Sequence, residues 1–241
     1  MREPDALFAD PRQAALYDHF DDDRSDLAAY VAIVRESRAR RVIDIGCGTG
    51  SLAVRLAAEG LEVVGVDPAR ASLDVARDKP HAARVDWVHG DATILVGRFP
   101  AADLAVMTGN VAQVFVSDQD WSDTLSAVHT CLRPGGRLVF ETRRPEVRAW
   151  EGWDVPPTTT RLPDGREAVV ERTVTVVALP LVTFEGSTTI DNEVLRSTST
   201  LRFRTREEIH QDLAEHGFAV LEVRDAPDRP GLEHVFIGER D

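Results

Sequence analysis

Short apolar runs alternate with segments of helical periodicity between residues 41 and 143. Each run is too short for a helix and is rich in Val, Ile and Leu, as is typical of strands buried on both faces. The predicted strands are RVIDI (41–45), LEVVGVD (61–67), RVDWVHG (84–90), ADLAVMTG (102–109) and GRLVFETR (136–143). The predicted helices are SLAVRLAAEG (51–60), PARASLDVARD (68–78) and SDQDWSDTLSAVHTCL (117–132). This alternation predicts an α/β fold with a parallel sheet covered on both faces.

The pattern changes after Pro145. Residues 146–164 are predicted as a loop, and Thr/Val-rich segments with period-two alternation follow, which predicts an antiparallel β insertion. Its predicted strands are EAVVERTVTVVA (167–178), LVTFEGSTTI (181–190) and EVLRSTSTLRF (193–203). Pro180 and the pair Asp191-Asn192 are hairpin signals between them. The earlier pattern then resumes with a helix (205–217) and two strands (218–225 and 233–240).

The N-terminal region has helical character from residue 12 to residue 36, and we expect a break near Asp21, Asp22 and Asp23. The formal charge of −13 opposes binding to polyanions, so we expect neither a nucleic-acid nor a membrane partner. The cysteines, Cys47 and Cys131, show no disulfide or metal-binding spacing. No signal peptide or membrane-spanning run is evident, and the sequence therefore predicts a cytoplasmic location.

The segment VIDIGCGTG (42–50) ends the first predicted strand in closely spaced glycines, a pattern that brings backbone against a nucleotide. A triphosphate loop needs a lysine after the glycines, and none is present. A dinucleotide loop has its third glycine at the sixth position, where this chain has Ser51. The glycine pattern therefore excludes a triphosphate and fits a dinucleotide imperfectly.

Acidic residues lie in or after three successive strands: Asp44, Asp67 and Asp91. A carboxylate at Asp67 would accept hydrogen bonds from ribose hydroxyls in either a dinucleotide or an adenosyl ligand. Asp44 would repel a pyrophosphate but suits a cationic amino group. Asp91 could accept from an adenine amino group. The alternative for Asp67 and Asp91 is simple helix capping. As a set, the acids favour a ligand that carries a sulfonium and an ammonium group.

VIDIGCGTG, VVGVDPA, HGDA and LRPGGRLVF together resemble the ordered motifs of the class I S-adenosylmethionine-dependent methyltransferases. The resemblance covers residues 41–142, and the final strands resemble that family's closing strand pair. It implies a Rossmann-like, doubly wound seven-stranded sheet whose last strand is antiparallel, with S-adenosylmethionine as cofactor. It also implies three parts: an N-terminal helical lid (1–40), the cofactor-binding domain (41–145 and 205–241), and the β insertion (146–204).

The resemblance assigns cofactor contacts residue by residue. The methionine portion would lie on the first strand and its glycine loop, the ribose on the acid of the second strand, and the adenine on the residues after the second and third strands. Residues after the fourth strand would line the wall near the sulfonium, and the lid would supply a tyrosine. The residues are Tyr17, Asp44, Gly46, Cys47, Gly48, Asp67, Pro68, Asp91, Ala92, Thr108 and Asn110.

The sequence gives less information on the residues that bind the methyl acceptor, because methyl transfer from a sulfonium needs alignment of the reactants more than a dedicated catalytic group. The catalytic candidates are Tyr17, His19 and Asn110. Substrate candidates are Gln113, Arg143 and Trp150; Arg143 could meet an anionic group, or could simply be solvated. The histidines lack metal-binding spacing, so we expect no metal.

We expect methyl transfer to a small-molecule acceptor, at oxygen or nitrogen rather than carbon. Two alternatives remain open: an NAD(P)-dependent oxidoreductase, and a non-catalytic S-adenosylmethionine-binding module. Long strand edges in the insertion invite pairing, so a homodimer through the insertion is a further hypothesis.

Overall fold

The computed structural model describes residues 3–20 and 23–241. Of the predicted helix break, Asp21 and Asp22 therefore lie outside the described residues. The helices are α1 (Ala6–Ala9), α2 (Pro11–Phe20), α3 (Leu27–Glu36), α4 (Ser51–Ala58), α5 (Arg70–Arg77), α6 (Asp118–Cys131) and α7 (Arg206–Glu215). The strands are β1 (Arg41–Ile45), β2 (Glu62–Asp67), β3 (Val85–His89), β4 (Ala102–Met107), β5 (Leu132–Arg143), β6 (Val155–Arg161), β7 (Glu167–Ala178), β8 (Leu181–Ile190), β9 (Glu193–Arg202), β10 (Phe218–Asp225) and β11 (Glu233–Arg240).

The larger sheet has seven strands in the order β10-β11-β5-β4-β1-β2-β3. β1 to β5 pair in parallel, whereas β11 is antiparallel to both β5 and β10. The predicted Rossmann-like sheet with an antiparallel last strand is confirmed. The chain runs from β1 outward to β3 and then returns to β4 on the other side of β1. Open parallel sheets bind ligands at this point, beyond the carboxyl ends of the strands.

Both faces of this sheet are covered, as the continuous apolar strands predict. Ile43 and Ile45 point to a core formed with α6 and α7, where Leu125 and Leu213 are fully buried. Val42, the residue before Ile43, points to the opposite core, formed with α3 and α4. Thus α3, which lies in the segment predicted as a lid, packs against the sheet.

The predicted β insertion is also confirmed: β6 to β9 form a separate antiparallel sheet in sequential order. Asp191 and Asn192 form the β8–β9 turn with φ angles of +50° and +67°, as the hairpin signal predicted. Part of the predicted loop 146–164 is instead β6, an edge strand that pairs only with β7. The pairing register shifts between Val155 and Thr158, where two prolines lack N–H donors. Prolines are tolerated at such an edge position, which is why loop-like composition misled the prediction.

No helix in the described ranges combines the length and apolar character needed to cross a bilayer.

Candidate active site

The glycine loop joins β1 to α4 and is held against β2. The backbone N–H groups of Gly46 and Cys47 donate to the carbonyl oxygen of Val66, at 2.8 and 3.1 Å. Gly46 has a φ of +66°, and a Cβ there would lie 2.6 Å from Cγ2 of Val111. Gly50, with a φ of +77°, precedes the first residue of α4. The loop therefore needs glycine both for its left-handed backbone and for close approach to the turn after β4.

A cavity of about 320 Å³ lies beside this loop, at the carboxyl ends of β1 to β4. Its other walls come from the N-terminal segment, the turn at residues 108–115 and the first turns of α6. Most of the residues predicted to contact the cofactor line this one cavity. They are Tyr17, Asp44, Gly46, Cys47, Gly48, Asp67, Pro68, Asp91, Ala92 and Thr108.

Asp44 is 1% exposed, and its Oδ1 atom has no hydrogen-bond partner. Burial raises the pKa of this carboxyl to about 7, and the charge of Asp67 raises it further, while Arg24 opposes the shift. An unsatisfied buried carboxylate oxygen is costly, and a cationic donor in the cavity would remove that cost. The unpaired acceptor oxygen of Asp44 therefore fits the ammonium group of a methionine moiety.

Asp67 ends β2 and shapes the loop from the other side. Its Oδ2 accepts from the backbone N–H of Gly48 at 2.8 Å, and its Oδ1 accepts from that of Ala69 at 2.7 Å. Burial raises the pKa of the Asp67 carboxyl, although these two bonds oppose the shift. Each carboxylate oxygen has a second lone pair, so the residue can still accept from two ligand hydroxyls.

Asp91 caps the short 3₁₀ helix Ala92–Leu95, because its side chain accepts from the backbone N–H of Thr93 at 3.0 Å. Burial opposes ionisation, but the bonds from Thr93 hold the pKa of Asp91 below its ordinary value. The helix-capping role that the sequence analysis left open for Asp91 is therefore observed. Asp91 lines the cavity at the same time, so capping does not exclude a ligand contact.

The N-terminal helical segment covers the cavity. Phe8 and Tyr17 line it, with their ring centroids 5.4 Å apart. Asp18 on α2 accepts from the hydroxyl of Thr49 in the glycine loop at 2.6 Å and pairs with Lys79 at 2.7 Å. This contact ties the covering segment to the backbone that forms the cavity floor.

Asp18→Asn should loosen this attachment. The variant removes the charge that pairs with Lys79, whose side chain is only 20% exposed. We expect the Kd for S-adenosylhomocysteine to rise about fivefold, since a partly buried ion pair contributes about 1 kcal/mol. Stopped-flow binding should show the change mainly in the dissociation rate. Asp74→Asn, which removes an exposed pair with Arg77, is the matched control; an equal effect in both variants would contradict the role of Asp18.

The other predicted residues lie outside the cavity lining. Asn110 is buried: its backbone N–H donates to Oε1 of Glu141 at 2.7 Å, and its Nδ2 donates to Glu233 at 3.1 Å. Gln113 donates to the carbonyl oxygen of Arg202 at 3.3 Å and accepts from Arg143 at 3.0 Å. These bonds stabilise the turn after β4 and join it to the insertion.

Arg143, Trp150 and His19 make similar structural contacts. The Arg143 guanidinium lies 5.1 Å from the ring centroid of Trp153. Trp150 is buried in the insertion core, 4.7 Å from the ring centroid of Phe203. His19 Nε2 lies 2.9 Å from the carbonyl oxygen of Arg161. The structure therefore does not bring these side chains to the cavity.

Several lining residues were not singled out from the sequence. The charge of Arg24 opposes the raised pKa of Asp44, and Phe115 adds an apolar wall. Asp120, Asp123 and Thr124 line the cavity from α6. Their i, i+3, i+4 spacing on a predicted helix is a signal that could have placed them on one face. Within the described ranges, no three potential metal-ligand side chains cluster.

Comparison with known proteins places this site in a family. The sequence matches the family model for a methyltransferase domain over residues 42–136. The chain is 31% identical to the cypemycin N-terminal methyltransferase of Streptomyces sp over 172 residues, which are 68% of each protein. It is 35% identical to the ubiquinone biosynthesis O-methyltransferase of Alkalilimnicola ehrlichii over 112 residues. That match covers 43% of this chain and 41% of the relative, so it spans well under half of the relative's length.

Among solved structures, the chain resembles S-adenosylmethionine-bound CalS10 from Micromonospora echinaspora, an amino pentose methyltransferase. The TM-score is 0.72 at 21% identity, covering 94% of this chain and 97% of the other, and this similarity supports the fold. The sheet order and the glycine-lined cavity at its carboxyl edge thus define a Rossmann-like fold. The chain belongs to the class I S-adenosylmethionine-dependent methyltransferases. Family membership confirms the predicted enzyme class, and the predicted cofactor is the one bound to the similar structure of CalS10.

Proposed function

We propose that this cavity binds S-adenosylmethionine and that the protein transfers its methyl group to an oxygen or nitrogen atom of a small molecule. The observation that carries the proposal is the unpartnered, buried Oδ1 of Asp44 beside the glycine loop. Such an atom needs a cationic donor, and the methionine ammonium would supply one.

The cofactor assignment follows the walls of the cavity. We propose that Asp44 takes the ammonium and Arg24 the carboxylate of the methionine portion, with Gly46, Cys47 and Gly48 in backbone contact. Asp67 would accept from the ribose hydroxyls. The adenine would lie between Pro68 and the segment Asp91–Ala92, and Thr108 would face the sulfur. The burial of Asp44 and Asp67 supports this arrangement, because charge-assisted bonds are stronger away from water.

When bound, S-adenosylmethionine supplies a methyl group on a sulfonium, whose leaving group is a neutral thioether. The chain's own residues then need to align the acceptor and exclude water. Phe8 and Tyr17 on the covering segment and Phe115 opposite supply the apolar walls. Of the three catalytic candidates, Tyr17 is the one that lines the cavity, and we propose that it contacts the cofactor or the acceptor. We propose that Asn110 and His19 are structural, because Asn110 bonds to Glu141 and Glu233 and His19 contacts the carbonyl oxygen of Arg161.

A thermal-shift comparison tests this function. S-adenosylmethionine and S-adenosylhomocysteine should raise the melting temperature by mass action, whereas NAD and NADP should not. Stabilisation by the dinucleotides alone would favour the oxidoreductase alternative. A protein that binds S-adenosylmethionine but forms no S-adenosylhomocysteine with any acceptor of an amine and alcohol library would favour a non-catalytic binding module.

We also retain the homodimer hypothesis as a proposal. The tip of the β7–β8 hairpin exposes apolar side chains: Val176 is 51%, Val177 50% and Leu179 58% exposed. Exposed apolar residues in one place favour association. Sedimentation should give twice the chain mass, and a monomer at high concentration would refute this point. Cytoplasmic location and the absence of nucleic-acid partners remain predictions from composition.

A further inference from the structure

The cavity is strongly acidic, beyond what the cofactor explains. Its lining includes the carboxylates of Asp44, Asp67 and Asp91 at the strand ends. It also includes four more on other elements: Glu3, Asp5, Asp120 and Asp123. In the described part of the chain, Arg24 is the only lysine or arginine among the lining residues. Charges that line a cavity focus its field, so the cavity selects cations.

The cofactor proposed above accounts for one part of this charge. S-adenosylmethionine carries a sulfonium, an ammonium and a carboxylate. Asp44, whose Oδ1 is buried and unpartnered, matches the ammonium, and Arg24 matches the carboxylate. Asp67 and Asp91 match neutral donors of the nucleoside. The four carboxylates outside the strand ends therefore have no counterpart in the cofactor.

Two of these remaining acids lie on one rigid element. Asp120 and Asp123 are three residues apart on α6, so they share a face of the helix. The Asp120 carboxylate accepts from the hydroxyl of Ser117 at 2.8 Å, and the Asp123 carboxylate accepts from the amide of Gln119 at 2.8 Å. Neither forms an ion pair within residues 3–20 and 23–241. Both carboxylates thus reach the cavity without a neutralising cation.

Once Arg24 is matched to the cofactor carboxylate, no other lysine or arginine of the described residues lines the cavity to meet an anionic acceptor. Arg143, the sequence candidate for that role, does not line it. Its guanidinium instead donates to Gln113 at 3.0 Å and lies 3.7 Å from Glu233. A carboxylate or phosphate beside Asp120 and Asp123 would therefore face repulsion, at some cost in affinity.

We propose that the methyl acceptor is an amine, which enters as its ammonium form and is held against Asp120 and Asp123. This inference rests on the proposed function. The ammonium first loses a proton to solvent at the cavity mouth, where Asp123 is exposed. The nitrogen lone pair then forms the bond to the methyl carbon while the carbon–sulfur bond breaks. Its electron pair stays on sulfur, which becomes the neutral thioether of S-adenosylhomocysteine, and nitrogen gains the positive charge.

The test uses three analogues of S-adenosylhomocysteine in which nitrogen replaces sulfur and bears an aminopropyl, hydroxypropyl or carboxyethyl arm. All share the cofactor portion, and only the arm differs in charge. Calorimetry measures the Kd of each analogue, with S-adenosylhomocysteine as the reference ligand. The analogue with the amino arm should bind about tenfold more tightly than the one with the hydroxyl arm, and the analogue with the carboxylate arm should bind most weakly. Equal affinity of the amino and hydroxyl arms, or preference for the carboxylate arm, would overturn the inference.

Variants locate the effect. The double variant Asp120→Asn, Asp123→Asn should lose the preference for the amino arm. Asp118→Asn removes the same charge from the same helix, but that side chain is 89% exposed and pairs with Arg202, so the preference should persist. A preference unchanged in the double variant would overturn the assignment to these residues. Failure of S-adenosylhomocysteine itself to bind would overturn the proposed function, and the inference with it.

Discussion

Asp67→Asn should weaken binding of S-adenosylhomocysteine by roughly a hundredfold, or about 3 kcal/mol. The carboxylate has two tasks: it accepts from the backbone N–H groups of Gly48 and Ala69, and it offers further lone pairs to the ribose hydroxyls. An amide has one oxygen, so its NH₂ group would face one of the backbone donors. Each hydrogen bond to a charged group contributes about 1.5–3 kcal/mol, and more than one is lost.

Calorimetry at neutral pH measures this effect. Glu62→Gln is the matched control, because it lies at the opposite end of the same strand and its 67% exposed carboxylate pairs with Arg41. It should leave the Kd unchanged. An Asp67→Asn Kd within threefold of the parent value would refute the ribose assignment.

Asp44→Asn should weaken binding of S-adenosylhomocysteine but stabilise the ligand-free protein. Because burial raises the pKa of this carboxyl to about 7, the ligand-free protein must lose a proton there before it can bind an ammonium. We expect the affinity for S-adenosylhomocysteine to fall about tenfold per pH unit below pH ~7. Asp44→Asn should bind weakly and show little of this pH dependence.

The stability effect follows from the same pKa. The folded protein holds this proton more tightly than the unfolded chain, whose carboxyl has an ordinary pKa of 3.8. The contribution to the free energy of unfolding is therefore present below that pKa and is lost as the pH rises to about 7. Without ligand at pH 8, Asp44→Asn should melt at a higher temperature than the parent. A lower melting temperature together with unchanged affinity would show that Asp44 is only structural.

Glu141 titrates in the same range, because burial raises its pKa to about 7, although a hydrogen bond from Tyr30 opposes the shift. It supports Asn110 and does not line the cavity. Comparing the parent with Asp44→Asn therefore isolates the binding contribution of Asp44, since Glu141 is present in both proteins.

The sequence predicted most of the residues that line the cavity at the strand ends, because that lining depends on local positions. Residues at the ends of parallel strands meet at one edge of the sheet, so the sequence alone predicted that Asp44, Asp67 and Asp91 lie together. The spacing of Gly46, Gly48 and Gly50 likewise predicted a tight loop, and all three have positive φ angles. The strand boundaries could be predicted from the sequence because strands buried on both faces are continuously apolar.

The acceptor half depends on how the insertion packs, which periodicity does not encode. Gln113 follows β4, as Thr108 does, and Arg143 ends the neighbouring strand β5. The structure nevertheless turns both side chains toward the insertion, Gln113 to Arg202 and Arg143 to Trp153. Polar side chains at such a joint satisfy buried backbone and charged groups. Only the packed fold shows that Asp120 and Asp123 line the cavity instead.

The most direct test of the central claim is a crystal structure grown with S-adenosylhomocysteine. We predict its amino group beside Oδ1 of Asp44 and its ribose hydroxyls within hydrogen-bonding distance of the Asp67 carboxylate. A ligand bound elsewhere at saturating concentration, or a dinucleotide phosphate preferred at Gly46–Gly50, would contradict the account.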